Sequence, residues 1–408
     1  MPVRSRLPAP VIPDGAVARA RPATPGVVLR LAFLSIGRHI HTERWIQWFA
    51  RQGHECHLLT VQPGHVEGVT VHDITAGTGP KPLRYLFSLR RVKKLLAAIQ
   101  PDLLNTHFLT GYGYWGHFSG FQPNILTVWG DDVYVTPFEN GLKNWLARQA
   151  LGSCRALTGD SADILARSAE LGADPDRSYR VLWGVDFEKF QPFDATSWRR
   201  KQGFSEEEIL FFSPRSYTQP YYNIDTVIAA AARVKQRVPL ARFLFSGYEG
   251  DPEPFRLKAR QAGIEDVMAM LGRLPHDEFA LALNACDVFI SVPSVDATAV
   301  SLLEAMSCGT GIIISSLASS LEWIRDGESG LVVKPRNIEE LTEAMVRFAE
   351  DAPFRLEAGR RALDTARRFA GFESNMEFVD RIFRSALGQQ DAWPQEVSLT
   401  RLGTGGAE

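Results

Sequence analysis

In the segment 287–315, DVFISVPSVDATAVSLLEAMSCGTGIIIS, two carboxylates stand eight residues apart: Asp296 in a loop and Glu304 about two turns into a helix starting near Ala299. The apolar run before them reads as a buried strand ending at Ser294, so both acids follow a strand's carboxyl end. The backbone N–H groups of Ala297, Thr298 and Ala299 fall at the helix N-terminus. Unpaired donors and the positive end of the helix dipole bind anions there. A carboxylate on each flank can accept hydroxyl hydrogen bonds, from a sugar on one side and a ribose on the other. The plainer reading makes Asp296 a helix cap and Glu304 a solvated helix residue. Spacing alone does not choose between them.

Arg215, in SPRSYTQPYYNID, stands directly after another apolar run, where a guanidinium suits a phosphate; a surface arginine is the alternative. His107 closes the run DLLNTHF, and His39 and His41 follow a turn at Gly37, placed to touch phosphate or acceptor. No carboxylate cluster accompanies His39/His41 or His54/His57, so neither pair reads as a metal site. The four cysteines, Cys56, Cys154, Cys286 and Cys308, lie far apart without a CxxC pair, which argues against a zinc site or disulfide scaffold.

The elements that must position these residues alternate strand and helix. VVLRLAFLSI is a continuous apolar strand followed by a helix around Thr42–Arg51, and GHECHLLTV is the next strand. DLLNTHF, NILTVWG and RALTGD continue the series. After a Gly- and Pro-punctuated connector, VLWGVDFEKFQP, the rhythm restarts with ILFFSPR and runs through ARFLFSG, VMAMLGR, DVFISVPS, GIIISS and GLVVKP. Strands apolar on both faces and separated by helices predict parallel sheets covered by helices. The expectation is therefore α/β: two successive parallel-sheet domains, with ligands in the cleft outside the carboxyl ends of their strands.

Composition agrees with a two-domain globular chain. It has 408 residues, 45% of them apolar and 23% charged. A net charge of −2 gives no basic footprint for nucleic acid, and no apolar stretch approaches the ~18 residues of a spanning helix. Residues 1–27 hold six prolines and four arginines and read as a flexible tail without a signal pattern; 389–408 reads as a second tail. A cytoplasmic location is expected.

The segment around Asp296 and Glu304 closely resembles the E-x7-E signature of family 4 retaining glycosyltransferases, with Glu304-Ala305-Met306-Ser307-Cys308-Gly309 matching the EAMAxG-like run and Asp296 in place of the first Glu. GHECHLLT, LWGVDFEKFQP, FLFSGYEGD, MLGRLPHDEF and SSLEWIRDGESGLVVKP resemble further family stretches, in order, over residues 29–388. The resemblance implies two Rossmann-like domains facing across a cleft, the GT-B architecture. Its parts would be an N-terminal acceptor domain (28–183), a connector (184–204), a C-terminal nucleotide-sugar domain (205–368) and a helix (369–388) crossing back to the first domain. It implies a hexosyltransferase-type enzyme of polysaccharide or glycolipid synthesis using a nucleotide-sugar donor and needing no metal or other cofactor. Arg215 and the N–H groups at 297–299 would meet the donor diphosphate, Asp296 the transferred sugar and Glu304 the ribose. Gly37 joins the donor-binding set.

Two departures from the family pattern stand out. The lysine usual after Arg215 is absent, with Tyr222-Asn223 in its place, and Arg273 is the candidate for the second positive charge. Where many relatives have His-Gly-x-Asp, NILTVWGDDVY has Trp129, Gly130 and Asp132, so the expected catalytic set is Arg215, Asp296, Asp132 and, as the nearest imidazole, His107. A sugar-nucleotide epimerase, which shares the two-domain fold, and a non-catalytic sugar-nucleotide-binding subunit, which the missing Lys and His would suit, remain rivals.

The stretch 81–99, KPLRYLFSLRRVKKLLAAI, carries six positive charges and no acid. Leu89, Val92, Leu96 and Ile99 fall on one helical stripe, with Arg84, Arg91 and Lys94 opposite. An anionic lipid surface and an ordinary surface helix both fit; the first would imply a lipid-linked acceptor and a peripheral place at the inner membrane face. Phe372, Met376, Val379 and Phe383 form the apolar stripe of the final helix, expected to pack on residues before 184.

Overall fold

The computed structural model describes residues 27–75, 77, 80–247, 251–390 and 392–395. The segment read as the first tail thus lies outside the described residues, except for Val27. Two sheets organise the chain. The first contains β1 (Arg30–Leu34), β2 (Glu55–Thr60), β3 (Val69–Asp73), β4 (Leu103–His107), β5 (Asn124–Thr127), β6 (Ala156–Gly159) and β7 (Ser178–Arg180). The second contains β8 (Ile209–Ser213), β9 (Ala241–Phe245), β10 (Met268–Met270), β11 (Val288–Ser291), β12 (Gly311–Ser315) and β13 (Leu331–Val333).

Strand order is β3-β2-β1-β4-β5-β6-β7 in one sheet and β10-β9-β8-β11-β12-β13 in the other, with every pair parallel. β1 and β12 are buried almost along their whole length, which is why they read as unbroken apolar runs. β3 was not legible that way: it is a half-exposed edge strand with an irregular pattern. The strand order reverses between β1 and β4 and again between β8 and β11, and a ligand crevice opens at such a switch point. The loops after these four strands, together with the turn after β5, carry the site.

The two domains are joined twice. Val185 N–H donates to Ala370 O at 2.6 Å and Phe372 N–H to Val185 O at 3.0 Å, so the outgoing and returning chains lie side by side. Gly184, at φ +70°, is needed there, since a Cβ would fall 2.4 Å from Phe372 Cα. The final helix, Phe372–Ala386, then crosses to the first domain. Its Met376, Val379, Ile382 and Phe383 are buried among Phe33, Trp45 and Phe49, and Phe383 stacks on Phe49 with centroids 4.9 Å apart. Part of the segment expected to be a loose tail is instead docked, because Trp393 stacks on Tyr179 at 6.0 Å. Among the described residues no helix is long and apolar enough to cross a membrane.

Candidate active site

From the second domain, the loop after β11 leads into the helix Val300–Ser307, whose start at Ala299 has no side-chain cap. Arg215, just past β8, donates from Nη2 to Asp296 Oδ2 at 2.7 Å and from Nε to Ser291 Oγ at 2.9 Å. Its guanidinium also lies 5.0 Å from the Tyr222 ring centroid. Burial lowers the Arg215 pKa, but Asp296 and Tyr222 outweigh it and hold the guanidinium charged. Burial pushes the Asp296 carboxyl up, against the pull of Arg215. Two residues singled out from separate motifs thus form one partly buried ion pair. The segment lacking the usual lysine is stitched to the same loop: Asn223, in left-handed conformation, donates to Val292 O at 2.9 Å and Ser294 Oγ at 2.8 Å.

The first domain supplies the facing wall through the turn after β5. Gly130 has φ +146°, open to glycine, and brings the chain against Ala297 of the other domain. Between the domains lies a cavity of about 170 Å³, walled by Phe108, Trp129, Tyr221 and Tyr222 and flanked by Asp131 and Asp296. It suits one small ring rather than a whole nucleotide. Aromatic faces can stack on C–H surfaces while carboxylates accept from hydroxyls, a combination that fits a sugar. Asp131 is exposed at the cavity's edge, and the desolvation it does feel there raises its pKa; no spacing distinguishes it from Asp132.

Asp132 does not face this cavity. Its carboxylate accepts the N–H groups of Leu109 at 2.6 Å, Gly130 at 2.7 Å and Trp129 at 3.1 Å. Burial pushes it up to about 6 despite those bonds. The expected catalytic role is therefore replaced by a positioning one: Asp132 pins the turn that presents Trp129 and Asp131. His107 also departs from expectation. Asn105 donates from Nδ2 to Ile125 O at 3.1 Å and Thr127 Oγ1 at 3.0 Å, which fixes its Oδ1 as an acceptor. His107 must then donate from Nε2 to that oxygen, 2.7 Å away. Its Nδ1 is left bare, and burial lowers its pKa to about 3. The ring is fully enclosed beside Trp45, Trp129 and Trp183, so it is neutral and off the cavity wall.

A second cluster surrounds Glu304. Its Oε1 lies 2.9 Å from His276 Nε2, and the side chain is 6% exposed. Arg44 of the first domain carries its charge towards Glu304, donates to Gly184 O at 3.3 Å and stacks on Phe372 at 4.3 Å. His39 is pushed down to about 4 by burial and then by the charge of Arg273, which brings that exposed arginine to the first domain's β1 loop. Gly37 has a packing role. Its N–H donates to Thr60 Oγ1 at 2.9 Å, and a Cβ would fall 2.3 Å from Gln62 O.

Of the three N–H groups expected to meet phosphate, that of Thr298 is occupied. It donates to Asp160 Oδ1 at 3.2 Å, while Thr298 Oγ1 donates to Asp160 O at 2.6 Å. Asp160 is wholly buried, and burial pushes its carboxyl well above the usual range. Beside this contact, Glu322 accepts Ala162 N–H at 2.8 Å and pairs with Arg180 at 3.1 Å. These bonds clasp the two domains along the β6–β7 side. Ala297 is buried against Gly130, and Ala299 forms the uncapped helix start. Among the described residues no group of three His, Cys, Asp or Glu side chains could hold a metal ion.

Two facing parallel-sheet domains with this cleft define the GT-B architecture. Residues 194–365 match the model for glycosyl transferases group 1, and 30–161 that for glycosyl transferase 4-like domains. A D-inositol 3-phosphate glycosyltransferase of Stackebrandtia nassauensis is 31% identical over 340 residues, 74% of each chain. Its counterpart in Kribbella flavida is 30% identical over 226 residues, 53% of this chain and 52% of that one. Among solved structures, sucrose-phosphate synthase from Thermosynechococcus elongatus superposes with a TM-score of 0.75 at 17% identity, covering 89% of this chain and all of that one. Anabaena HepE in complex with UDP-glucose also gives 0.75, at 13% identity and over 88% of this chain and 100% of that one. The chain belongs to the family 4 glycosyltransferases and is a glycosyltransferase.

Proposed function

We propose that this enzyme takes a nucleotide sugar, seats the transferred sugar in the interdomain cavity and passes it to an acceptor hydroxyl with retention of anomeric configuration. The observation that carries this reading is the Arg215–Asp296 pair beneath a cavity walled by aromatic rings and carboxylates. Arg215 meets the donor diphosphate together with the uncapped helix start, and Arg273 supplies the second positive charge from across the cleft. Asp296 accepts hydroxyls of the transferred sugar; Glu304, oriented by His276, accepts those of the ribose. HepE, of the same fold, was solved with UDP-glucose, which supports a nucleotide-sugar donor.

Retention follows from a front-face displacement. The bond from the anomeric carbon to the phosphate oxygen breaks as the acceptor oxygen bonds to the same face. The acceptor proton passes to the departing phosphate oxygen, so no side chain must act as nucleophile. The protein contributes positioning and charge stabilisation in a closed cleft. The relatives named for inositol 3-phosphate make a phosphorylated cyclitol one acceptor to try. A lipid-linked acceptor would arrive from the side of the basic helix Lys81–Ile99.

The test is product analysis with a panel of nucleotide sugars. Acceptor-dependent release of nucleoside diphosphate, with a product anomer matching the donor by proton NMR, is expected. An inverted product, or an epimerised nucleotide sugar formed without acceptor, would contradict the proposal.

A further inference from the structure

We propose that the helix Lys81–Ile99, with the groove beside it, docks the first domain on an anionic phospholipid surface. The helix buries Val92, Leu96 and Ile99 against the sheet, and Ser88 Oγ donates to Ile74 O at 2.8 Å. Its other face is unusual for a surface helix. Leu83, Leu86 and Phe87 are 51%, 44% and 48% exposed. Continuing along the same stripe at helical spacing come Arg90 and Lys94, both exposed. The whole helix carries no acid.

Phe87, Arg90, Arg91 and Lys94 line, with Gly77, a groove of about 390 Å³. The Arg90 guanidinium lies 5.7 Å from the Phe87 ring centroid. Arg91 is held by Thr75 O and faces the charge of Asp73, but Arg90 and Lys94 continue beside the large apolar side chains, a combination that matches the two layers of an anionic bilayer, acyl chains below and phosphates above. That charge complementarity selects the occupant.

A second observation extends the surface. The short helix Tyr114–Ser119 packs against both Lys81–Ile99 and Gly141–Ser153, and beyond it Phe138, Leu142 and Trp145 are also exposed. An exposed tryptophan suits the headgroup layer. The surface also adjoins the cleft. Tyr85 Oη donates to Gly111 O at 2.8 Å, and Trp115 Nε1 donates to Tyr85 O at 3.1 Å. The turn bearing Leu86 and Phe87 therefore braces the loop that begins at Phe108, a wall of the cavity. Docking would hold the acceptor side of the cleft at the bilayer. This consequence rests on the transfer proposed above; the docking itself does not.

Co-sedimentation of the full chain with vesicles tests it. Vesicles of three parts phosphatidylglycerol to seven of phosphatidylcholine should bind at least about tenfold better than pure phosphatidylcholine, and high salt should release the protein. The double variant Arg90→Glu/Lys94→Glu and the variant Phe87→Ser should each lose about tenfold in vesicle binding, with melting temperature and transfer to a soluble acceptor unchanged. Equal binding to both vesicle types, no loss in either variant, or binding to duplex DNA but not to vesicles would overturn the docking. Intact transfer without vesicle binding would overturn the docking alone.

Discussion

Arg215 Nη2 and Asp296 Oδ2 lie 2.7 Å apart although the residues are 81 positions apart in the chain. The pair ties the loop after β8 to the loop after β11 at the switch point of the second sheet. If Arg215 carries the leaving-group charge, Arg215→Lys should keep the fold yet lower kcat by at least about 10²-fold, as when a preorganised donor is lost. Arg215→Ala should in addition cost about 1–3 kcal/mol of stability, because the partly buried Asp296 is left without its cation. Steady-state kinetics and thermal melts read both; an active Arg215→Lys enzyme would shift the phosphate role to Arg273.

Asp160 gives the interdomain clasp a pH dependence. Burial raises its carboxyl pKa, with Asp296, Glu322 and Asp132 adding to the effect. The native state therefore holds the proton more tightly than the unfolded chain, whose carboxyl titrates near about 3.9. Stability falls as pH rises through that window, and Asp132, at about 6, contributes the same sign. Asp160→Asn removes its share. The melting temperature of the variant minus that of the unaltered protein should rise between pH 4.5 and 7.5. A flat or falling difference would show that Asp160 is not the titrating group.

Glu304 Oε1 sits 2.9 Å from His276 Nε2, with the carboxylate almost enclosed beside the cleft. Glu304→Gln should weaken nucleotide binding by about 1–3 kcal/mol through lost charged hydrogen bonds, with melting little changed. Calorimetry with a nucleoside diphosphate decides it, and unchanged affinity would remove Glu304 from the site.

The crossing helix predicts a stability effect far from the cleft. Phe383 is fully buried and stacked on Phe49. Phe383→Ala should cost about 3–5 kcal/mol, read by denaturant unfolding. Truncation after Ala370 should expose the first domain's apolar surface and abolish transfer.

What the sequence disclosed follows from what was local. Apolar runs such as GIIIS and the Asp296–Glu304 spacing lie within one strand–loop–helix unit, so pattern alone finds them. β7, at three residues, and β3, half-exposed at an edge, offer no such run. Asp160 was out of reach because its partner Thr298 lies 138 residues away in the other domain. Asp131 and Asp132 are adjacent and chemically alike, and only the fold shows which one meets the cavity and which one is saturated by backbone N–H groups. Trp183 stacks on His41 at 4.9 Å, which no spacing foretells.

The claim that the transferred sugar lies on Asp296 while the diphosphate lies on Arg215 is tested most directly by calorimetry on Asp296→Ala. Titrations of the free nucleoside diphosphate and of its nucleotide sugar are compared with those of the unaltered enzyme. Removing Asp296 frees Arg215 for phosphate, so diphosphate affinity should stay the same or tighten. The nucleotide sugar should lose about tenfold, the value of one or two hydrogen bonds to an ionised group. Equal losses for both ligands, or none for the nucleotide sugar, would contradict the placement.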